Sequence, residues 1–189
     1  MNPIHPLIEG RRSGRLIDPD RIVADKIIYS LIEAARWAPS CYNNQPWRFV
    51  VCRDQALVRV KSCLSKGNAW ALNAPLIIAI VSTPELGCRS KGRDYYCLDM
   101  GLAIENCLLQ GIDFGLVMHP IAGFDEEELK LMLKIPDKYR VFALIIVGYP
   151  ETTNSKDGNS TDTEERTSRK PLKEILFWEG WKSESANKS

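Results

Sequence analysis

Three arginines and a serine fall within five residues at Arg11-Arg12-Ser13-Gly14-Arg15. Guanidinium forks match phosphate oxygens in bidentate pairs, and a serine hydroxyl adds a neutral donor, so this spacing suits a phosphorylated ligand. A solvated basic turn would look the same. A second polar cluster follows about 25 residues on, at Ala38-Pro39-Ser40-Cys41-Tyr42-Asn43-Asn44-Gln45-Pro46-Trp47. Amides and hydroxyls gathered in one loop can read the polar edge of a flat heterocycle. A helix stop followed by an Asx-type turn would explain Pro39 and Asn43 equally well. With two histidines in the chain, a nucleophile–base relay has one plausible base, His119. A lone histidine at a strand end before Pro120 is more often structural. No G-x-G-x-x-G, G-x-x-x-x-G-K-[ST], G-x-S-x-G or H-E-x-x-H is present, so nucleotide-fold, P-loop, hydrolase and zincin chemistry have no motif to rest on.

The six cysteines, Cys41, Cys52, Cys63, Cys88, Cys97 and Cys107, show no C-x-x-C pair, and His5 and His119 lie far from any of them. The expectation is ordinary reduced thiols and no metal site.

The elements that must position these clusters read as follows. Apolar three-to-four spacing predicts a helix over 25–38, stopped by Pro39. A short strand is expected over 47–52 and an amphipathic helix over 56–64. Residues 76–82 form a β-branched run that reads as a strand covered on both faces. A long helix is expected over 93–111 with Leu98, Leu102, Leu108 and Leu109 as its apolar positions, then a brief strand over 114–118. A helix over 125–133 opens on an acidic run suited to its dipole, and a strand over 139–147 closes at Gly148-Tyr149-Pro150. Residues 151–170 hold no large apolar side chain and read as a mobile polar loop. An apolar tail over 171–182 follows, able to fold back on its own core or to cross onto a partner subunit. The irregular alternation of helices and strands favours an α+β fold, a mixed or antiparallel sheet flanked by helices, in a single domain over 1–189.

Composition narrows the class. With 25 Lys+Arg against 24 Asp+Glu the net charge is +1, which removes the electrostatic case for nucleic acid or an anionic membrane surface. The longest apolar runs, 76–81 and 141–147, fall far short of the roughly 20 residues that span a bilayer. The first residues carry no signal-peptide core, so a soluble, cytoplasmic protein is expected.

The two polar clusters become specific in combination. R-R-S-x-R followed by P-S-x-x-N-x-Q-P-W resembles the FMN-dependent nitroreductase family. Asn73-Ala74-Pro75 before the 76–82 strand, Pro120-Ile121-Ala122-Gly123-Phe124 before the acidic helix, Gly148-Tyr149-Pro150, and Arg169-Lys170-Pro171-Leu172 keep the same order, so the resemblance spans residues 8 to 181.

The resemblance implies a homodimer with two FMN molecules at the subunit interface. It assigns Arg11, Arg12, Ser13 and Arg15 to the phosphate, ribityl chain and pyrimidine edge of one FMN, with Arg15 nearest flavin N1/O2. Pro39, Ser40, Cys41 and Asn43 are similar to the loop that reaches that FMN from the other subunit. Ala122 and Gly123 match the backbone facing flavin N5, Arg169 matches a phosphate-binding cation, and Asn68 an amide on the pyrimidine. Family members often carry a glutamate in the 120–123 segment; Ala122 leaves only a backbone role there. The implied chemistry is hydride transfer from NAD(P)H to flavin N5, then electron transfer to a nitroaromatic, quinone or similar acceptor from the same pocket, a ping-pong scheme that asks no catalytic side chain of the protein. Three alternatives remain open: a related FMN enzyme performing ene reduction or reductive dehalogenation, a flavin carrier or sensor without turnover, and a flavin-free interaction protein.

Overall fold

The computed structural model describes residues 3–151 and 168–181. In chain order the elements are α1 (Pro6–Gly10), α2 (Asp25–Arg36), β1 (Arg48–Cys52), α3 (Asp54–Ser62), β2 (Leu76–Ser82), β3 (Arg89–Ser90), β4 (Arg93–Asp94), α4 (Tyr96–Asp113), β5 (Val117–Ile121), α5 (Glu126–Leu133), β6 (Arg140–Gly148) and α6 (Leu172–Ile175). Short 3-10 turns occupy Cys41–Asn43, Lys66–Asn73 and Pro84–Leu86. Most of the expected polar loop and the last residue of the expected tail lie outside the described residues.

The main sheet has the order β1-β2-β6-β5 and every pairing in it is antiparallel. The α+β expectation holds, with the sheet antiparallel rather than mixed. All seven residues of β2 are buried. Its even-numbered side chains Leu76, Ile78 and Ile80 pack with α2 and α4, while Ile77, Ala79 and Val81 pack with α3 and α5. The sheet is thus the middle of three layers, which is why the 76–82 run is apolar without alternation.

The two outer strands differ. β5 carries Pro120, which has no N–H to leave unpaired, whereas β1 is Arg-Phe-Val-Val-Cys with no such interruption.

Two sequence expectations shift. The strand expected over 114–118 lies at Val117–Ile121, because α4 runs on to Asp113 and ends on Gly115, whose φ of +71° turns the chain. The buried face of α4 is Asp99, Met100, Ala103, Cys107, Leu108 and Gly111, and Leu98 is 58% exposed. This helix has apolar side chains on two faces: of the expected positions Leu108 is buried and Leu109 half-buried, while Leu98 and Leu102 are exposed. The tail side chains Leu172, Ile175, Leu176, Trp178 and Trp181 are exposed rather than folded onto the core, with Phe177 stacked on Trp181 at 4.4 Å.

Candidate functional site

The arginine cluster begins where α1 ends. Arg11 takes an extended backbone, donating its N–H to the Leu7 carbonyl at 3.0 Å, and the chain then runs along the sheet's edge. Buried Ile17 bridges to Pro150, and the Asp18 N–H donates to the Tyr149 carbonyl at 2.9 Å, fixing the segment beside the end of β6. Gly14 lies against Val117 on β5, and its carbonyl sits 3.1 Å from His119 Nδ1. A carbonyl only accepts, so this bond places the proton on Nδ1. The other side of the His119 ring meets Trp70, ring centroids 4.6 Å apart. His119 is therefore a pin between the arginine segment and the 66–73 turn. Arg11 and Ser13 are half-buried on this segment, and Arg12 and Arg15 are exposed.

One strand end away, the structure brings Asn68 and Gly123 together. The Gly123 carbonyl accepts from the Ser65 N–H at 3.1 Å and from Asn68 Nδ2 at 2.9 Å. Asn68 Nδ2 also donates to Ser65 Oγ at 3.3 Å. A Cβ at position 123 would lie 2.5 Å from that nitrogen and 2.6 Å from Ser65 Oγ, so only glycine leaves the amide this seat. Ala122 beside it is exposed.

The 39–46 loop is held by different means. Tyr42, Asn43 and Gln45 all adopt left-handed φ, at 51°, 58° and 50°. Such residues cost roughly 1 kcal/mol or more each, so the surroundings must impose them. Ser40 Oγ accepts from the Gln45 N–H at 3.0 Å, and Ser82 Oγ donates to the Pro46 carbonyl at 2.7 Å. The Cys41 N–H sits 3.2 Å from both oxygens of Asp99, a carboxylate on α4 that is only 3% exposed. Cys41 is also disulfide-bonded to Cys88.

That bond corrects the expectation of six reduced thiols. The four others, Cys52, Cys63, Cys97 and Cys107, are free. Burial pushes the Cys52 thiol up to about 11 and Cys107 to about 12, as expected of small hydrophobes in a core. The bond also limits what Cys41 can offer a ligand. Its carbonyl accepts from Asn44 at 3.1 Å, so its N–H, carbonyl and sulfur are all committed within the chain. Among the described residues no group of three or more His, Cys, Asp or Glu side chains could hold a metal.

The model of the Nitroreductase family matches residues 8–149 of this chain. A protein of Archaeoglobus fulgidus named "Putative NADH dehydrogenase/NAD(P)H nitroreductase" is 32% identical over 149 residues, covering 77% of this chain and 84% of its own. The chain belongs to the nitroreductase family. By that membership it is an oxidoreductase. A nitroreductase family protein from Clostridium novyi NT superposes with a TM-score of 0.72 at 29% identity, covering 82% of this chain and 89% of that one. A structure described as an oxidoreductase containing FMN gives 0.71 at 27% identity, covering 80% and 79%.

Set in a nitroreductase fold, the sequence-derived site residues separate into two groups. Arg11, Arg12, Ser13, Arg15, Asn68, Ala122 and Gly123 belong to segments joined through β5 and the 65–73 turn. Pro39, Ser40, Cys41 and Asn43 lie elsewhere. Gly14 rests on Val117, which pairs with Gly148 at the end of β6, whereas the 39–46 loop is tied to Ser82, which pairs with Arg140 at its start. A nine-residue strand separates those ends by about 25 Å. Arg169 is exposed, on the segment that leads into α6. Sequence reading missed Asp99, Cys88 and Ser65. Asp99 was findable as the one acid on a helix stripe that otherwise reads Met100, Ala103, Cys107. Cys88, 47 residues from its partner, left no spacing signal.

Proposed function

We propose that this chain is an FMN-dependent NAD(P)H oxidoreductase that works as a homodimer. The observation that carries this reading is the separation of the two site groups. The arginine segment and the 39–46 loop each have the chemistry expected of part of a flavin site, yet in one chain they lie toward opposite ends of β6, with Ala122 and Gly123 following the β5 end that pairs near Leu144. A second copy, related by a two-fold axis and running antiparallel, would set the 39–45 loop of each protomer beside the arginine segment of the other. The exposed tail, with Trp178 and Trp181 among its apolar side chains, supports such exchange between subunits.

The residues fit the cofactor on the chemistry of their donors. Arg11, Arg12 and Ser13 would bind the phosphate and ribityl chain, with Arg169 as a further phosphate cation. Arg15 would place positive charge at the N1/O2 edge, where it favours an anionic reduced ring. Ala122 and Gly123 would face N5 with backbone and a methyl group only. In the 39–43 loop, the Asn43 side chain and the Ser40 hydroxyl hydrogen remain for polar contact, while Pro39 and Cys41 supply shape. When bound, FMN supplies hydride acceptance from NAD(P)H and electron delivery to a nitroaromatic, quinone or similar acceptor. This chain would supply position and charge, and one pocket taking the two substrates in turn would give ping-pong kinetics.

The test is a visible spectrum of purified protein after FMN addition and desalting, followed by NADH or NADPH without oxygen. Retained flavin bands that bleach are expected; a panel of nitroaromatic, quinone, enone and halophenol acceptors then identifies the second half-reaction. Retained flavin that never bleaches would replace this reading with a carrier, and a folded, colourless protein would end it.

A further inference from the structure

The Cys41–Cys88 pair is placed as an exchange centre rather than as a core staple. Both residues are half-buried, and their Cα atoms are 6.0 Å apart. Each is also tied through its backbone to the start of α4. The Tyr95 N–H donates to the Cys88 carbonyl at 3.0 Å, and Asp99 accepts from the Cys41 N–H. The Tyr95–Asp99 hydrogen bond at 3.0 Å makes those two anchors one turn of the same helix. None of these bonds uses sulfur. Cleaving the S–S bond therefore leaves the two cysteines held at bonding range, ready to close again. Cys52, Cys63 and Cys107 are buried, which leaves Cys97 as the exposed free thiol among the described residues. In a compartment that keeps thiols reduced, disulfides are usually transient, catalytic or redox-sensing.

We propose that Cys41–Cys88 is a thiol–disulfide exchange site whose substrates are small-molecule thiols and disulfides of the glutathione class, and that its state sets how firmly the 40–45 loop is held. In the opening direction an external thiolate attacks one sulfur of the pair. The S–S bond breaks, a mixed disulfide forms, and the other cysteine leaves as thiolate and takes up a proton. A second external thiol attacks the mixed disulfide and departs as the external disulfide. Two external thiols have been oxidised and the pair reduced by two electrons; oxidised glutathione runs the steps in reverse. With the bond open, the three left-handed residues are held by Asp99, Ser40 and Ser82 alone. The effect on FMN rests on the function proposed above; the exchange chemistry does not.

The experiment uses full-length protein in a Cys97→Ser background, equilibrated folded in buffers of varied reduced to oxidised glutathione, quenched, unfolded in iodoacetamide and mapped by mass. Cys52, Cys63 and Cys107 are expected to carry adducts throughout. Cys41 and Cys88 should gain adducts together as the buffer becomes reducing, with a two-electron dependence. Adding Cys88→Ser should trap a glutathione on Cys41. Adducts on Cys41 and Cys88 under every ratio would show that no bond forms, and adducts on neither would show a fixed crosslink; each result overturns the proposal. FMN titrated against the two forms should bind about fivefold more weakly to the reduced one, and Cys88→Ser should match it. Exchange with equal FMN affinity would overturn the coupling to the loop. Absence of FMN binding in both forms would instead refute the proposed function, with the thiol map still deciding the exchange site.

Discussion

Arg11 leaves α1 in an extended conformation, half-buried, with its backbone fixed by Leu7. A side chain launched from a fixed backbone loses little further freedom on binding a phosphate, so its removal should cost affinity rather than fold. Arg11→Ala is expected to weaken FMN binding by about 1.5–3 kcal/mol, the range for a hydrogen bond to a charged group, with the melting temperature of the FMN-free protein unchanged. Fluorescence titration of FMN checks it, and equal affinity would remove Arg11 from the site. Gly123 behaves differently. Gly123→Ala forces a methyl group against Asn68 Nδ2 and Ser65 Oγ, so the amide must leave the Gly123 carbonyl. Because the displaced atoms end the Asn68 and Ser65 side chains, the cost is that of the lost amide hydrogen bond, about 0.5–1.5 kcal/mol. Denaturant unfolding of the FMN-free protein should show that loss, and FMN affinity should fall with it. Unchanged unfolding would mean that the 65–68 turn yields at no cost.

At the scale of elements, α5 follows directly on the Ala122–Gly123 segment and is anchored to β6 by one carboxylate. Asp125 caps the helix by accepting the Glu128 N–H at 3.0 Å. Glu126 accepts from Arg140 through both oxygens at 2.8 Å and from the Val141 N–H at 2.8 Å. These bonds, the Arg140 guanidinium first, hold the Glu126 carboxyl below its ordinary 4.5. A carboxylate whose folded value is lowered adds stability that is complete above 4.5 and is lost as the pH falls through the folded value. Below 4.5 the melting temperature of the native protein should therefore fall more steeply than that of Glu126→Gln, and parallel slopes would refute the anchor. Much at this scale was legible in the sequence. β2 matched its expected bounds because a strand buried on both faces needs an uninterrupted β-branched run, and α5 matched because its acidic first turn suits the helix dipole. The polar clusters were legible because arginines and amides in loops have few structural uses. What escaped was set by tertiary neighbours. The face of α4 depends on which of two apolar stripes meets the sheet. Asp99 and Cys88 acquire their roles only when α4 and the Pro84–Leu86 turn meet the 39–46 loop.

For the whole molecule, the proposed homodimer is what would supply the second half of each site. The exposed apolar tail, the uncovered Leu98 and Leu102 on α4, and the separation of the arginine segment from the 39–46 loop along β6 are the features on which the proposed homodimer rests. Light scattering is expected to give twice the chain mass of 21.4 kDa. Ending the chain before Arg169, which removes the tail and that cation together, should give the single mass and lose FMN. A full-length protein that stays monomeric while binding FMN would refute the shared site.

The unequal sheet edges carry this further. Pro120 blunts β5, so strand-to-strand addition at that side meets a missing donor. β1 presents Phe49, Val50 and Val51 in extended conformation with no proline, its charges being Arg48 within the strand and Arg53 just after it, the latter paired with Asp25. A protomer separated from its assembly is thus sticky at one end of the sheet and inert at the other. In the proposed homodimer, dilution, which drives subunits apart, should then shorten shelf life instead of prolonging it, each subunit acting as the other's chaperone.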